Sequence, residues 1–121
     1  MNEYYNDTVN MKDLSLVIKE SAEDIEIRWT GRSTERDPSL FLTPLFSDIL
    51  NRQKKIKMDF KSLEYMNSST ITPILKVLDR LKNSNGAIVI IYDKNQKWQE
   101  LSFTALEIFR TTDLRIDIRG A

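Results

Sequence analysis

Short runs of alternating apolar and polar residues near both ends of the chain enclose longer segments with helical spacing. Leu14 to Ile18 predicts a strand and Lys19 to Glu23 a polar turn. Ile25, Ile27 and Trp29 then alternate with Glu26 and Arg28, the period of a half-buried strand. The two strands predict a hairpin. Gly31 to Arg36 reads as a loop, and Asp37-Pro38 as a helix start with proline at the first helical position. Phe41, Leu42, Leu45, Phe46, Ile49 and Leu50 follow helical spacing. Pro44 interrupts them, so the pattern predicts a first turn that ends and a second helix capped by Thr43. A single kinked helix is the alternative.

Ile56, Met58 and Phe60 predict a short strand with Asp59 near its end. A helix is expected over 68–82, with Ile71, Ile74, Leu75, Leu78 and Leu81 on one face. Asn67, Ser68 and Ser69 are good caps for it, because their short oxygens accept from first-turn amides. Asn83 to Gly86 ends this helix, with Gly86 suited to a left-handed turn. Ala87 to Ile91 is a continuous apolar strand, the pattern of a strand covered on both faces. Trp98, Leu101, Ala105, Ile108 and Phe109 form another helical stripe. Leu114 to Ile118 predicts a last strand whose outward charges suggest a sheet edge.

The expected order is β-β-α-β-α-β-α-β, an α/β domain with a mixed, mostly parallel sheet and right-handed crossovers. Residues 1–12 are polar and unpatterned and read as a flexible tail, with Tyr4-Tyr5 its one feature able to dock. Residues 13–121 form the domain.

Composition narrows the function. The 121 residues suit one domain, 40% hydrophobic and 30% charged. Eighteen basic residues balance eighteen acidic ones, which does not suggest a nucleic-acid binder. Without cysteine there is no disulfide or thiolate metal site. Without histidine the commonest general base and metal ligand are missing. No apolar run is long enough to span a membrane, and the first residues lack the pattern of a secretory signal, so a cytoplasmic protein is expected.

The three glycines, at 31, 86 and 120, form no phosphate loop. Asp59 and Glu64 are carboxylates near the central motif, but no second ligand cluster accompanies them. The ordinary reading of Asp59 is a turn residue. Arg52, Lys54, Lys55 and Lys57 read as helix C-terminal cations, and Trp29 and Trp98 as core or rim residues. An enzyme and a bound cofactor are therefore not expected. Simple helix capping is the ordinary explanation of the hydroxyl cluster Ser68-Ser69-Thr70.

An apolar strand ending in Asp59-Phe60, then Tyr65-Met66-Asn67-Ser68-Ser69 opening an amphipathic helix, resembles the STAS family of bacterial anti-sigma factor antagonists and their relatives. The likeness covers residues 14–118. Asn67 stands where that motif has Asp, and Thr70 where it has Gly. Gly31-Arg32-Ser33, Phe41-Leu42-Thr43-Pro44-Leu45 and Tyr65-Met66-Asn67-Ser68-Ser69 are similar to segments of a neighbouring group, the SiaC-like regulatory phosphoproteins.

Both resemblances imply a STAS-like domain without catalysis of its own, with Ser68 as phosphorylation site and Ser69 and Thr70 as fallback acceptors. They imply a partner-binding surface at Asp59, Asn67, Ser68, Ser69 and Thr70. The implied partners are an anti-sigma-type serine kinase and a PP2C-type phosphatase. For the SiaC-like group a diguanylate cyclase in biofilm signalling is added. A constitutive scaffold that is never phosphorylated is the competing expectation, and a small enzyme using Asp59 or Glu64 a third.

Overall fold

The computed structural model describes residues 5–121, in the order β1 (Tyr5–Met11), β2 (Leu14–Glu20), β3 (Asp24–Ser33), α1 (Ser39–Asn51), β4 (Lys55–Asp59), β5 (Leu63–Met66), a 3-10 turn (Ser68–Thr70), α2 (Ile71–Lys82), β6 (Ile88–Tyr92), α3 (Lys97–Thr104), a second 3-10 turn (Ala105–Phe109) and β7 (Ile116–Gly120). The sheet runs β1-β2-β3-β4-β6-β7. The β1-β2 and β2-β3 pairs are antiparallel, and β3-β4, β4-β6 and β6-β7 are parallel. β4 lies along the first half of β3 and β5 along its end, at Gly31 to Ser33. The expected mixed, mostly parallel α/β fold is therefore present, with two additional strands.

The first addition corrects the tail reading. Residues 5–11 form an edge strand, while residues 1–4, with Tyr4, lie outside the described residues. β1 has no apolar alternation because side chains do not hold it. Its backbone pairs with β2 along its whole length, from Tyr5↔Glu20 to Met11↔Leu14. Val9 alone of its described side chains packs against the core. Lys12 turns the hairpin at φ 51°. Gly31 is required where β3 passes this turn: φ is +84°, and a Cβ there would lie 2.0 Å from the Asp13 carbonyl oxygen.

One sheet face is continuous core. Leu16 opposes Trp29, Ile27 opposes Met58, Met58 opposes Ile90 and Ile90 opposes Ile118, all buried. Helical residues Leu42, Phe46, Ile74, Leu78 and Phe103 close over them. Trp29 packs on Phe60 with ring centroids 4.6 Å apart, and Phe60 on Phe103 at 4.6 Å, both pairs tilted. The opposite face carries Val17, Glu26, Arg28, Lys57, Asp59, Val89 and Ile91, half-buried or exposed. β6 is thus buried on one face only, not on both.

Four local expectations are also corrected. α1 is one helix through Pro44, because buried Leu42, Phe46 and Ile49 form a stripe that continues across the proline. That burial outweighs the one backbone hydrogen bond a proline removes. Gly86 is not left-handed; it is needed for closeness, since a Cβ would lie 2.4 Å from Leu81 Cδ2. α3 and the 3-10 turn after it face inward through Gln99, Phe103 and Leu106; of the expected stripe Trp98 and Phe109 pack against the core, while Leu101 is 67% and Ile108 84% exposed. Leu114 precedes β7 in a turn at φ 58° rather than joining the strand.

The basic cluster after α1 pairs with carboxylates of β2, β3 and the last turn of α1. Arg52 bonds Glu20 and, at 2.8 Å, Asp48. Lys54 meets Glu20 at 2.6 Å and Lys57 meets Glu26 at 3.2 Å.

Candidate functional site at the start of the second helix

The chain leaves the sheet at Asn67, whose amide donates to the Ser33 carbonyl at 3.0 Å. Asn67 is extended (φ −78°, ψ 166°), as a cap residue must be before the helix turns away. Its Oδ1 accepts from the Thr70 amide at 3.2 Å and from Thr70 Oγ1 at 2.8 Å. Its Nδ2 donates to the Glu35 carbonyl at 2.7 Å. Asn67 therefore ties the helix start to the loop that follows β3.

Thr70 is fully buried and lies 2.7 Å from the Oγ of Ser33, itself 1% exposed. A hydroxyl has one proton. Thr70 spends its proton on Asn67, so Ser33 must donate to Thr70. The result is a directed chain, Ser33 to Thr70 to Asn67, with no ionisable group in it.

Of the three hydroxyls expected as phosphate acceptors, the structure separates two from the third. Ser68 and Ser69 are exposed, whereas Thr70 is sealed in the core and is not reachable as a fallback. Among the described residues, neither Ser68 nor Ser69 uses its side-chain hydroxyl in a hydrogen bond. Capping falls to Asn67, not to Ser68.

Asp59 is not joined to this cluster by any hydrogen bond or ion pair among the described residues. It lies on the opposite sheet face, where its Oδ1 accepts from the Lys61 amide at 2.9 Å, the turn role. Glu64 is exposed on β5. Among the described residues no group of three His, Cys, Asp or Glu is placed to hold a metal ion.

Two features escaped sequence reasoning. The Arg32 guanidinium sits 5.0 Å from the ring centroid of the exposed Tyr65, pairing the ends of β3 and β5 just before the serines. Such a stack fixes a flat, cationic surface at modest gain, about 0.5–1 kcal/mol when exposed. Gln99 is wholly buried and donates to the carbonyls of Phe60 (2.7 Å) and Leu63 (2.9 Å) while accepting from the Asp93 amide (2.8 Å). It thereby closes the turns that follow β4 and β6. A lone Gln beside an apolar stripe gave no signal, since such a residue is ordinarily solvated.

Neither a family model nor a curated protein matches the sequence. Solved structures do match the fold. An anti-sigma factor antagonist from Mycobacterium paratuberculosis superposes with TM-score 0.63 at 10% identity, over 89% of this chain and 96% of that one. SiaC of Pseudomonas aeruginosa gives 0.59 at 15% identity, over 97% and 99%. The chain has a STAS-like fold. A third match, an uncharacterised protein with a SpoIIAA-like fold from Shewanella loihica, gives 0.51 at 15% identity over 100% and 87%. Among the described residues of this STAS-like domain, no helix is long and apolar enough to cross a membrane.

Proposed function

We propose that this STAS-like domain is a non-enzymatic cytoplasmic signalling protein whose binding to a partner is switched by phosphorylation of Ser68. The observation that carries the reading is the division of labour at the helix start. Asn67 performs the cap and Thr70 the internal lock, which leaves the exposed Ser68 hydroxyl without a structural task. The fold likeness to an anti-sigma factor antagonist supports the same reading. A serine kinase of the anti-sigma type would add the phosphate and a PP2C-type phosphatase would remove it.

In this mechanism the unmodified surface of Ser68, Ser69 and the Arg32–Tyr65 stack docks the partner. Phosphate adds close to two negative charges, which a desolvated interface does not tolerate. The fold survives modification because a helix start favours negative charge and the lock beneath is neutral. A second reading, supported by the likeness to SiaC and by Asn67 in place of an acidic residue, makes the partner a diguanylate cyclase.

Co-expression with the kinase and phosphatase from its genomic neighbourhood, followed by peptide mass spectrometry, tests the switch. One reversible phosphate on Ser68 is expected, and Ser68→Asp is expected to weaken partner binding tenfold or more, about 1.4 kcal/mol. Phosphate confined to another residue, or unchanged binding by Ser68→Asp, would instead favour the constitutive scaffold.

A further inference from the structure

A cavity of about 550 Å³ opens at the end of the sheet opposite Ser68, between the last turns of α1 and α2 and the start of β4. That volume lies in the range of small-molecule sites, about 300–1,000 Å³. Leu50, Ile56 and Leu81 supply an apolar side, and Asn51, Asn85 and Arg80 a polar one. Gly86 also lines it, and a Cβ there would require the tip of the Leu81 side chain to shift. Gln53, which also lines it, is held at φ 58°, a backbone conformation that non-glycine residues adopt only under strain.

The charge balance of this cavity is uneven. Lys54 is neutralised by Glu20 at 2.6 Å and also donates to the Ser21 carbonyl at 2.6 Å. Among the described residues Arg80 meets only neutral acceptors, Ser47 Oγ at 3.2 Å and Asn51 Oδ1 at 2.9 Å. Two carbonyls in the last turn of α2, those of Asp79 and Leu81, are already covered, as is that of Gly86 beyond it. Arg115 Nη1 donates to the Leu81 and Gly86 oxygens at 2.7 and 2.6 Å, and Asn83 Nδ2 to the Asp79 oxygen at 3.0 Å. Among nearby carboxylates, Asp48 is bound to Arg52, and among the described residues Asp79 makes no ion pair with Arg80. Arg80 is thus a solvent-exposed guanidinium, oriented at the cavity by neutral side chains and with no carboxylate against it among the described residues, while Arg115 beside it is engaged by carbonyls.

We propose that this cavity binds a small organic oxyanion. Arg80 takes the phosphate or carboxylate head, for which its planar fork is suited. The carboxamides of Asn51 and Asn85 meet polar edges of the ligand body, and Leu50 and Ile56 its apolar face. The site lies at the amino ends of the parallel strands and is separate from the Ser68 surface.

Titration of the full ¹⁵N-labelled chain, followed by amide chemical shifts, tests the assignment. The probes are AMP for a phosphate head, nicotinate for a carboxylate head, and inorganic phosphate and adenosine for head and body alone. Saturable shifts at the amides of Arg80, Asn85 and Gly86 are expected with AMP or nicotinate, and which of the two binds identifies the head. Phosphate and adenosine alone are expected to bind about tenfold or more weakly. Asn51→Asp places a carboxylate against Arg80 with little change of size and is expected to lower affinity about tenfold or more, as is Arg80→Ala. The spectra themselves report whether each variant is folded. Absence of saturable shifts with both headed probes overturns the proposal. So does affinity unchanged in both variants, or shifts centred on residues 67–70.

Discussion

At the carboxyl edge of the parallel strands the side chains that tie the elements together are neutral and buried or half-buried, whereas at the amino edge they are charged and partly exposed. The first edge is held by Ser33, Thr70, Asn67 and Gln99, the second by Glu20, Arg52 and Lys54. Neutral groups can be buried at modest cost once every donor has an acceptor. Charges cannot, and Glu20 keeps 13% of its side chain in solvent while Arg52 keeps 30%. The difference separates two tasks. A neutral lock holds its geometry when charge is added beside it, which suits the edge carrying Ser68. An ionic edge is adjustable by pH, salt and anions, which suits the edge with the cavity.

The comparison is tested most severely at Gln99. Gln99→Leu keeps the volume but strips partners from the Leu63 carbonyl and the Asp93 amide, while the Phe60 carbonyl keeps the Leu63 amide at 3.0 Å. Each buried group left unpaired costs about 1–3 kcal/mol, and shared relaxation makes the total about 3 kcal/mol. Urea denaturation would measure it, and a loss below 1 kcal/mol would mean that water replaces the side chain and the edge is not dry. Thr70→Val is the next largest. It removes both partners of one hydroxyl and leaves Ser33 without its acceptor, for an expected loss of about 2 kcal/mol. Because no titratable group is involved, that loss is expected to be the same at pH 4 and pH 7.

How far the sequence foretold each region follows from what positioned its residues. Periodicity located β2, β3, β4, α2 and β6, because their inward residues are apolar and regularly spaced. It also marked the Asn67–Thr70 stretch as a helix start. It could not divide Ser68 from Thr70, since exposed and buried hydroxyls read alike until Ser33 is brought beside one of them from 37 residues away. β1 was missed because an edge strand is held by backbone pairing. The stripe expected for α3 and the turn after it was right for Trp98 and Phe109, which pack against the core, and wrong for Leu101 and Ile108, since buried Gln99 and Phe103 take the inward positions and Phe103 packs on Phe60. Apart from Asp48, one helical turn before Arg52, nothing in the basic run from Arg52 to Lys57 announced its acidic partners, which come from β2 and β3.

The smallest effect is at the ionic edge and is best read through pH. The hydrogen bond from Lys54 holds the Glu20 carboxyl below its ordinary range, aided by the charges of Arg52 and Lys54 and opposed by burial. A carboxyl lowered in the folded state binds its proton less readily there than in the unfolded chain. Its stabilisation is therefore complete above the unfolded value, about 4.3, and is lost as pH falls through the folded one. Asp113 is shifted the same way, chiefly by the Thr111 hydroxyl, and adds to the same acid limb. Glu20→Gln is expected to cost about 1 kcal/mol or less at pH 7, since partly exposed ion pairs contribute little. The acid limb below pH 5 should become shallower in this variant, while Thr70→Val should retain its full slope. Melting temperatures recorded from pH 3 to pH 7 compare the two directly. An unchanged acid limb in Glu20→Gln would show that the amino edge is held by something other than its charges.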